Sequence, residues 1–212
     1  LTIYVFDRRK ELSPSYSIYA MADDTAAAIQ AAGLSAYNLF GASQGGMAAL
    51  KIAIDHPECV KKLVLGSTSA KVDDLQYNAL EKWIRLAKAG SKTELYLAFG
   101  KDIYPAEVFE AGQDLLKKTA ETVTQADLDR FIICAKGSKG FDVLDQLDRI
   151  QCPVLALGAL DDKVLGAGAM KEIADKLSPR EDFELFMYDG YGHAAFATAP
   201  DYKQRMLQFL TK

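Results

Sequence analysis

Short apolar segments alternate with helical segments along most of the chain, and this alternation restricts the fold more than any other feature. Residues 37–40, 62–65 and 154–157 are nearly all apolar, and residues 183–188 are rich in aromatic and apolar side chains. Runs of this kind are typical of strands that are covered on both faces. Strands that alternate with helices predict an α/β fold, with a mostly parallel sheet and helices on both faces.

Further elements are predicted near both ends of the chain. Residues 1–6 form a β-rich run, which predicts another strand. Residues 21–32 are rich in alanine and are followed by Gly33, a pattern that predicts a helix with a glycine stop. Pro200 is predicted to start the last helix, because the first helical position needs no N–H donor.

Residues 70–148 interrupt the alternation. Apolar side chains recur there at helical spacing, for example at Leu80, Trp83, Ile84 and Ala87. Several helices with no strand between them cannot extend a sheet, so we expect an inserted helical lid over residues 70–148. The core is then formed by residues 1–69 and 149–212. The alternative is that these helices only pad the sheet.

Composition excludes several classes of protein. The 212 residues carry a net charge of −4, so we expect no nucleic-acid partner and no membrane surface as partner. Cys59, Cys134 and Cys152 are odd in number and far apart, which argues against a disulfide framework and a thiolate metal site and favours buried apolar roles. Without a long apolar run or a charged leader, the sequence predicts a cytoplasmic protein.

Residues 41–45 fit the pattern G-x-S-x-G, and they lie between a predicted strand and a helix that runs to about residue 55. Such a nucleophile elbow presents a serine at the carboxyl end of a sheet. We expect a side chain at Gly41 or Gly45 to collide across this tight turn. Ser43 is therefore the predicted nucleophile, and the Gln44 backbone N–H is a predicted oxyanion-hole donor.

A serine hydroxyl needs a neighbouring base, and the chain contains two histidines. His56 lies at the far end of the helix that follows Ser43, so we interpret it as a surface histidine at a helix terminus. His193 lies in a glycine-rich loop directly after the strand at residues 183–188. Loops of this kind lie over the catalytic edge of an α/β sheet, so His193 is the predicted base.

The imidazole in turn needs a carboxylate that orients it and stabilises its cation. Asp161 and Asp162 follow the buried strand at residues 154–157, which gives the chain order Ser, Asp, His. Asp189 also lies near His193, but its position four residues earlier in the same loop favours a role as a turn cap.

Three segments match motifs that occur together in one superfamily: residues 6–9, 41–46 and 192–196. Through them the chain resembles the lid-bearing α/β hydrolases, which include small esterases, lactonases and C–C bond hydrolases. One departure is Lys10, which stands where glycine is common. In this superfamily the acid usually stands three residues after the glycine that ends the strand, here Gly158, and the resemblance therefore implies Asp161 rather than Asp162.

The resemblance also implies strands that these residues do not contain. The family has three more strands before the one predicted at residues 1–6, and the loop after the third supplies the other oxyanion donor, often near a His-Gly pair. No His-Gly pair occurs here. Without the internal strand, residues 1–6 and 37–40 would each leave one edge unpaired. We therefore expect the working protein to contain a further N-terminal segment.

The sequence as a whole predicts a serine hydrolase that cleaves a small carboxylic ester or lactone through an acyl-enzyme on Ser43. A serine at this position argues against the epoxide-hydrolase and haloalkane-dehalogenase branches, whose nucleophile is a carboxylate. We expect a small-molecule acyl substrate, no metal and no cofactor, and the oligomeric state is left open. The predicted pocket residues are the aromatic side chains of the lid: Trp83, Tyr96, Phe99, Phe109 and Phe131.

Other functions remain open on the same triad. A C–C bond hydrolase or a thioesterase would differ in the leaving group alone. An aminopeptidase would need carboxylates in the lid to hold a free amine, for which Glu81, Glu94 and Glu107 are available. A non-catalytic ligand-binding protein could use the same pocket, because a fold does not fix its function.

Overall fold

A computed structural model describes residues 2–212, and within this range four strands form one parallel sheet. Their order in the sheet is the order in the chain: β1 (Tyr37–Ala42), β2 (Val60–Gly66), β3 (Val154–Ala159) and β4 (Phe183–Tyr188). All three neighbouring pairs are parallel. The predicted parallel sheet is therefore confirmed, and all four carboxyl ends lie at one edge.

Helices connect the strands and cover both faces of the sheet. They are α1 (Ile18–Ala31), α2 (Gln44–Asp55), α3 (Asp74–Lys88), α4 (Lys92–Ile103), α5 (Ala106–Thr122), α6 (Gln125–Lys136), α7 (Ala167–Leu177), α8 (Ala195–Thr198) and α9 (Tyr202–Thr211), with a 3₁₀ helix at Leu144–Arg149. α1 begins after Ser17, whose hydroxyl accepts from the Ala20 N–H, and Gly33 beyond its end has a φ of 74°. The helix expected over residues 21–32 is thus present and begins three residues earlier.

The last helix begins later than predicted. Pro200 does not start it, because Pro200 and Asp201 form a turn in which the Tyr202 N–H donates to the Ala199 carbonyl. Asp201 is the N-cap residue, and helical geometry begins at Tyr202. The proline therefore precedes the helix by two positions.

Side chains of the central strands divide between two hydrophobic clusters, one on each face. Val154 and Ala156 of β3 pack in the larger cluster with residues of α1, α2 and α7. Leu155 and Leu157 pack in the smaller cluster, which includes Phe209 of α9. Because successive strand residues point to opposite faces, a strand buried on both faces must be apolar throughout. β3 is fully buried along its length.

The segment between β2 and β3 contains helices and no strand, as the sequence predicts. In this insertion α4 packs against α5, and α3 packs against α6. α6 begins with a capping box in which Thr124 and Asp127 each accept from the other's backbone N–H. The insertion therefore has its own helix–helix packing while both of its ends return to the sheet.

Residues 2–6, which belong to the strand predicted at residues 1–6, do not form a strand. Residues 2–6 have no regular secondary structure, Ile3 is 84% exposed and Val5 is 90% exposed, and Leu1 lies outside the described residues. Strand geometry needs a hydrogen-bonded neighbour, and within residues 2–212 β1 pairs with β2 alone. Phe40 on β1 is accordingly 45% exposed.

The sequence predicts that the three cysteines are unpaired and buried. Cys59, Cys134 and Cys152 are free thiols in the described part of the chain, and of these three only Cys152 is buried. The predicted buried role therefore holds for Cys152 and not for the other two.

In residues 2–212 we find no helix that combines the length and the apolar character needed to cross a bilayer.

Candidate active site

Ser43 occupies a strained turn between the last residue of β1 and the first residue of α2. Its φ is 52° and its ψ is −126°, a conformation that residues with a side chain rarely adopt. A Cβ atom at Gly41 would lie 2.3 Å from the Gly45 carbonyl oxygen, so glycine is required there. This turn is the predicted strand–turn–helix geometry around Ser43.

The steric role of the second motif glycine differs from the prediction. Apart from its chain neighbours and the nearby backbone of α2, no described atom lies within 4 Å of a Cβ built at Gly45, which is exposed on this helix. Gly46 has the close contact instead, since a Cβ there would lie 2.5 Å from the Thr68 side chain. Gly41 and Gly46 therefore permit the tight packing of this turn, and Gly45 does not.

His193 reaches Ser43 from the loop after β4. Its Nε2 lies 2.9 Å from the Ser43 Oγ, and its side chain is 4% exposed. The backbone of this loop turns at Gly190 and Gly192, whose φ values are 80° and 62°. His56 is the C-cap residue of α2 and its side chain is 46% exposed, as expected for a surface histidine at a helix terminus.

The carboxylate beside His193 is Asp162 and not the predicted Asp161. The Asp162 Oδ2 lies 2.8 Å from His193 Nδ1, and this aspartate side chain is 3% exposed. The family spacing, which places the acid three residues after the glycine that ends the strand, selects the wrong aspartate here. Gly158 does not end the strand, because β3 continues through Ala159. The Leu160 N–H still donates to the Tyr188 carbonyl of β4, so the chain leaves the sheet later than this spacing assumes.

Asp161 and Asp162 have separate tasks in this loop. The other oxygen of Asp162, Oδ1, accepts from the Val164 N–H at 2.8 Å and from the Leu165 N–H at 2.9 Å. Asp161 accepts from the Gly192 N–H at 3.1 Å through each of its oxygens. Asp162 therefore fixes its own loop and His193 together, while Asp161 holds the backbone next to the histidine.

The Gln44 backbone N–H is free to bind a ligand atom. As the first residue of α2, Gln44 has an N–H with no acceptor inside the helix, and none occurs among the described residues outside it. The positive end of the helix dipole lies at the same place. This N–H can therefore stabilise negative charge that develops near Ser43.

The Gln44 side chain makes contacts that the sequence did not indicate. Its Oε1 accepts from the Arg8 guanidinium at 2.5 Å, and its Nε2 donates to the Cys134 carbonyl at 2.8 Å and to the Ser138 Oγ at 2.9 Å. Arg8 belongs to residues 6–9, one of the three segments that carry the resemblance to the α/β hydrolases. The end of the insertion is thus hydrogen-bonded to the residue that follows Ser43.

A cleft of about 600 Å³ lies beside the His193 loop. It is bordered by the connection between α4 and α5, the loop after β3 and the loop after β4. Its lining includes Tyr104, Glu107, Asp161, Lys163 and Asp189. Asp189 therefore lies at this cleft, and it is not the carboxylate that contacts His193.

The five aromatic side chains predicted for the pocket do not line this cleft. Phe99 packs edge-on against three of the others, Trp83, Tyr96 and Phe131, at ring distances between 4.7 and 5.9 Å. The Trp83 Nε1 donates to Asp102, and Phe109 packs over Gly100. Four of these rings thus pack against one another within the insertion, and Trp83 is the buried one among the five.

Serine, histidine and aspartate form one continuous chain of hydrogen bonds. Such a chain allows the imidazole to take the hydroxyl proton while the carboxylate stabilises the imidazolium. Among residues 2–212, no three His, Cys, Asp or Glu side chains are grouped so that they could hold a metal ion. The chemistry that these described side chains support is nucleophilic attack by a serine.

Comparisons with known proteins identify the family of this chain. Residues 14–198 match the sequence model of the family described as serine aminopeptidase, S33. The putative carbamate hydrolase RutD of Caulobacter vibrioides is 26% identical over 204 residues, which cover 95% of this chain and 75% of that protein.

Solved structures show the same fold. MGS-M2, an α/β-hydrolase enzyme from a Medee basin deep-sea metagenome library, has a TM-score of 0.84 and 23% identity, covering 93% of this chain and 73% of its own. The enol-lactonase from Burkholderia xenovorans LB400 has a TM-score of 0.80 and 16% identity, covering 93% and 74%. By its sequence and its fold, the chain belongs to the S33 serine aminopeptidase family of α/β hydrolases.

Proposed function

We propose that this chain is a serine hydrolase that cleaves a small carboxylic ester or lactone through an acyl-enzyme on Ser43. The observation that carries the proposal is the hydrogen-bonded chain from the Ser43 Oγ through His193 to Asp162, with distances of 2.9 and 2.8 Å. Both His193 and Asp162 are buried, so water competes little for these hydrogen bonds.

The proposed reaction has two halves. The Ser43 oxygen attacks the carbonyl carbon while His193 Nε2 takes the hydroxyl proton, and Asp162 stabilises the imidazolium. The Gln44 N–H donates to the oxyanion of the tetrahedral intermediate. His193 then protonates the departing alkoxide, and a water molecule hydrolyses the acyl-enzyme by the same steps to give the carboxylic acid and free Ser43.

The proposed substrate class draws on the names of similar proteins. The RutD relatives are named as putative carbamate hydrolases, and one structural neighbour is an enol-lactonase. Esters, lactones and carbamates share an acyl carbon bonded to a leaving heteroatom, so one triad can attack all three. We propose esters and lactones as the substrates and include a carbamate in the substrate panel described below.

We also propose that the insertion is a lid over this site, with the boundaries predicted from the sequence. Cys134 near the end of α6 and Ser138 just after this helix both accept hydrogen bonds from the side chain of Gln44, which follows Ser43. The Ile103 carbonyl, at the end of α4, accepts from the Ala194 N–H next to His193 at 3.0 Å. Contacts on both sides of the Ser43–His193 pair support a role in covering the substrate rather than in padding the sheet.

An aminopeptidase is the second candidate, and one observation favours it. Glu107, one of three lid carboxylates considered for binding a free amine, lines the cleft together with Asp161 and Asp189. Charged hydrogen bonds from an ammonium group to such carboxylates are stronger than neutral ones. Lys163 lies on the same cleft and opposes this role, which is why the candidate stands second.

A fluorophosphonate probe followed by peptide mass mapping tests the serine mechanism. We expect covalent labelling at Ser43 in the parent protein and none in the matched variant Ser43→Ala. A parent protein that remains unlabelled while its thermal unfolding shows a folded domain would contradict the proposal and indicate a non-catalytic binder.

A panel of substrates then separates the two candidate functions. We expect turnover of short p-nitrophenyl esters, of a simple lactone or of a phenyl carbamate, and little turnover of aminoacyl p-nitroanilides. An aminopeptidase would show the reverse order, would lose activity when the substrate amine is acetylated, and would have a raised KM in Glu107→Gln.

A further inference from the structure

The carbonyl of Ser43 is held by three hydrogen-bond donors. The Thr68 Oγ1 donates to it at 2.7 Å, the Gly46 N–H at 2.9 Å and the Met47 N–H at 3.2 Å. The two N–H groups belong to α2, which starts directly after Ser43. Thr68 belongs to a different part of the chain, the segment that leaves β2 and enters the insertion. Its hydroxyl therefore ties the turn to the neighbouring strand.

The Ser43 carbonyl and the Gln44 N–H are two ends of the same peptide unit. Because a trans peptide is planar, its C=O and N–H point in opposite directions, and fixing one fixes the other. The donors on the Ser43 carbonyl thus determine where the Gln44 N–H points. This N–H is the oxyanion donor of the proposed reaction.

We propose that Thr68 is a positioning residue for the oxyanion hole, acting through the peptide between Ser43 and Gln44. The inference rests on the proposed serine mechanism. Thr68 itself is fully buried behind the turn and does not contact the reacting atoms. Its hydroxyl holds the peptide at the orientation in which the Gln44 N–H meets the developing negative charge.

The environment of Thr68 leaves its side chain little freedom. It is 0% exposed, and a Cβ added at Gly46 would lie 2.5 Å from it. Ser67, the residue before it, has a φ of 38°, which is an unusual backbone conformation for serine. The hydroxyl is therefore presented to the Ser43 carbonyl by a segment with a fixed geometry.

The same segment holds Ser43 from its other side. The Ser43 N–H donates to the Gly66 carbonyl at 2.8 Å, which continues the pairing of β1 with β2. Residues 66–68 thus bind both the N–H and the C=O of Ser43. Removal of the Thr68 hydroxyl would take away one of the three donors to the Ser43 carbonyl and leave the hydrogen bond of the Ser43 N–H in place. The two N–H donors of α2 would still satisfy the carbonyl, but they belong to the helix and do not tie the peptide to β2.

The variant Thr68→Val tests the proposal, with Thr68→Ser as its matched partner. Valine keeps the shape and removes the hydroxyl, whereas serine keeps the hydroxyl and removes a methyl group. Loss of a whole oxyanion donor costs about 10²- to 10³-fold in rate, so we expect a misdirected donor to lower kcat about tenfold. KM for a p-nitrophenyl ester should stay unchanged, and Thr68→Ser should recover most of kcat.

A trifluoromethyl ketone with the same acyl group provides a second measurement, because it forms a tetrahedral adduct whose oxygen lies in the oxyanion hole. In Thr68→Val its affinity should fall by the same factor as kcat/KM, while affinity for the product carboxylate stays the same. A Thr68→Val protein with a lowered melting temperature but the parent kcat per titrated Ser43 would overturn the inference, since the residue would then be structural only.

The two proposals fail in different ways. If the parent protein neither reacts with a fluorophosphonate nor cleaves any ester, the serine mechanism itself is wrong. If the parent reacts at Ser43 but Thr68→Val matches it in kcat and in ketone affinity, only the positioning role of Thr68 is wrong.

Discussion

The loops that carry Ser43 and Asp162 both follow the carboxyl end of a strand, but they are stabilised in opposite ways. The Ser43 turn depends on its backbone: the Ser43 N–H and C=O are both hydrogen-bonded, and the backbone lies at a positive φ. The loop after β3 depends on a side chain, because the Asp162 carboxylate accepts from the Val164 and Leu165 N–H groups. Ser43 contributes its hydroxyl to the site without supporting its own turn.

This difference separates function from stability at the two positions. At residue 43, removal of the side chain leaves every backbone hydrogen bond in place. At residue 162, removal of the carboxylate takes away the partner of His193 and two hydrogen bonds of its own loop. Loss of the hydroxyl should therefore affect activity alone in the first loop, and loss of the carboxylate should affect both activity and stability in the second.

The largest expected effect is that of Ser43→Ala, which removes the nucleophile. We expect esterase activity to fall by about 10⁴-fold or more, with an unchanged far-UV circular dichroism spectrum and melting temperature. Residual activity close to the parent level would show that another group is the nucleophile.

Ser43→Gly tests whether the backbone at residue 43 is strained, since glycine adopts a positive φ without the steric cost that alanine has. We expect it to be more stable than Ser43→Ala by about 1 kcal/mol in urea unfolding, a part of the usual cost of a strained residue. Equal stability of the two variants would mean that the turn stores no strain.

The second-largest expected effect distinguishes the roles of the two neighbouring aspartates, Asp161 and Asp162. We expect Asp162→Asn to lower kcat by roughly 10³- to 10⁴-fold, because an amide presents the wrong partner to the histidine tautomer. Asp161→Asn should change kcat by several-fold at most. Steady-state kinetics of both variants decides the matter, and a larger loss in Asp161→Asn would restore the assignment made from the sequence.

A smaller effect is expected from the Gln44 side chain, which connects the Ser43 turn to the insertion. Gln44→Met keeps the backbone N–H and the length of the side chain but loses the hydrogen bonds to Arg8, Cys134 and Ser138. We expect kcat to fall about tenfold, less than for the loss of a whole donor. Gln125→Met, on the exposed face of α6, is the matched control and should match the parent.

The smallest effect concerns the start of β3, the strand that carries the acid loop. The Arg180 guanidinium pairs with Asp182 and donates to the carbonyls of Ile150 and Cys152. A hydrogen bond from Arg180 lowers the pKa of Asp182 below its ordinary value. A lowered pKa in the folded state means a stabilising contribution that is present above the unfolded-state pKa and is lost as the pH falls through the folded one.

We therefore expect Asp182→Asn to be less stable than the parent at pH 7, by under about 1 kcal/mol because the pair is partly exposed. The difference should shrink as the pH falls below about 4, where the carboxylate of the unfolded chain is protonated. Urea unfolding at several pH values measures it. A difference that stays constant with pH would show that the ion pair does not contribute.

The parts of the site that depend on local backbone were predictable from the sequence. The turn at Ser43 needs glycine at Gly41, and this requirement is visible as a motif between a strand and a helix. His193 followed from its position after a strand and from the small number of histidines. Asp162 was missed because the choice between adjacent aspartates depends on where β3 ends, which is set by its pairing with β4.

Other features depend on tertiary contacts and leave little trace in the sequence. Residues 2–6 have strand-like composition, but a strand requires a neighbour to pair with. The aromatic residues around Phe99 recur at helical spacing in the sequence, and this spacing would be the same if they lined a substrate pocket or packed against each other. The hydroxyl of Thr68 and the amide of Gln44 gain their roles from packing against distant segments.

The tight contact at Gly192 has a consequence for how a substrate enters. A Cβ at this residue would lie 2.9 Å from the Ile103 carbonyl oxygen, and that carbonyl also accepts from the Ala194 N–H. If the insertion moved away as one rigid body, the hydrogen bond that the Ala194 N–H donates to the Ile103 carbonyl, next to the imidazole, would break. A substrate that enters without breaking this bond would meet the hydrogen bond between Ser43 and His193 already formed.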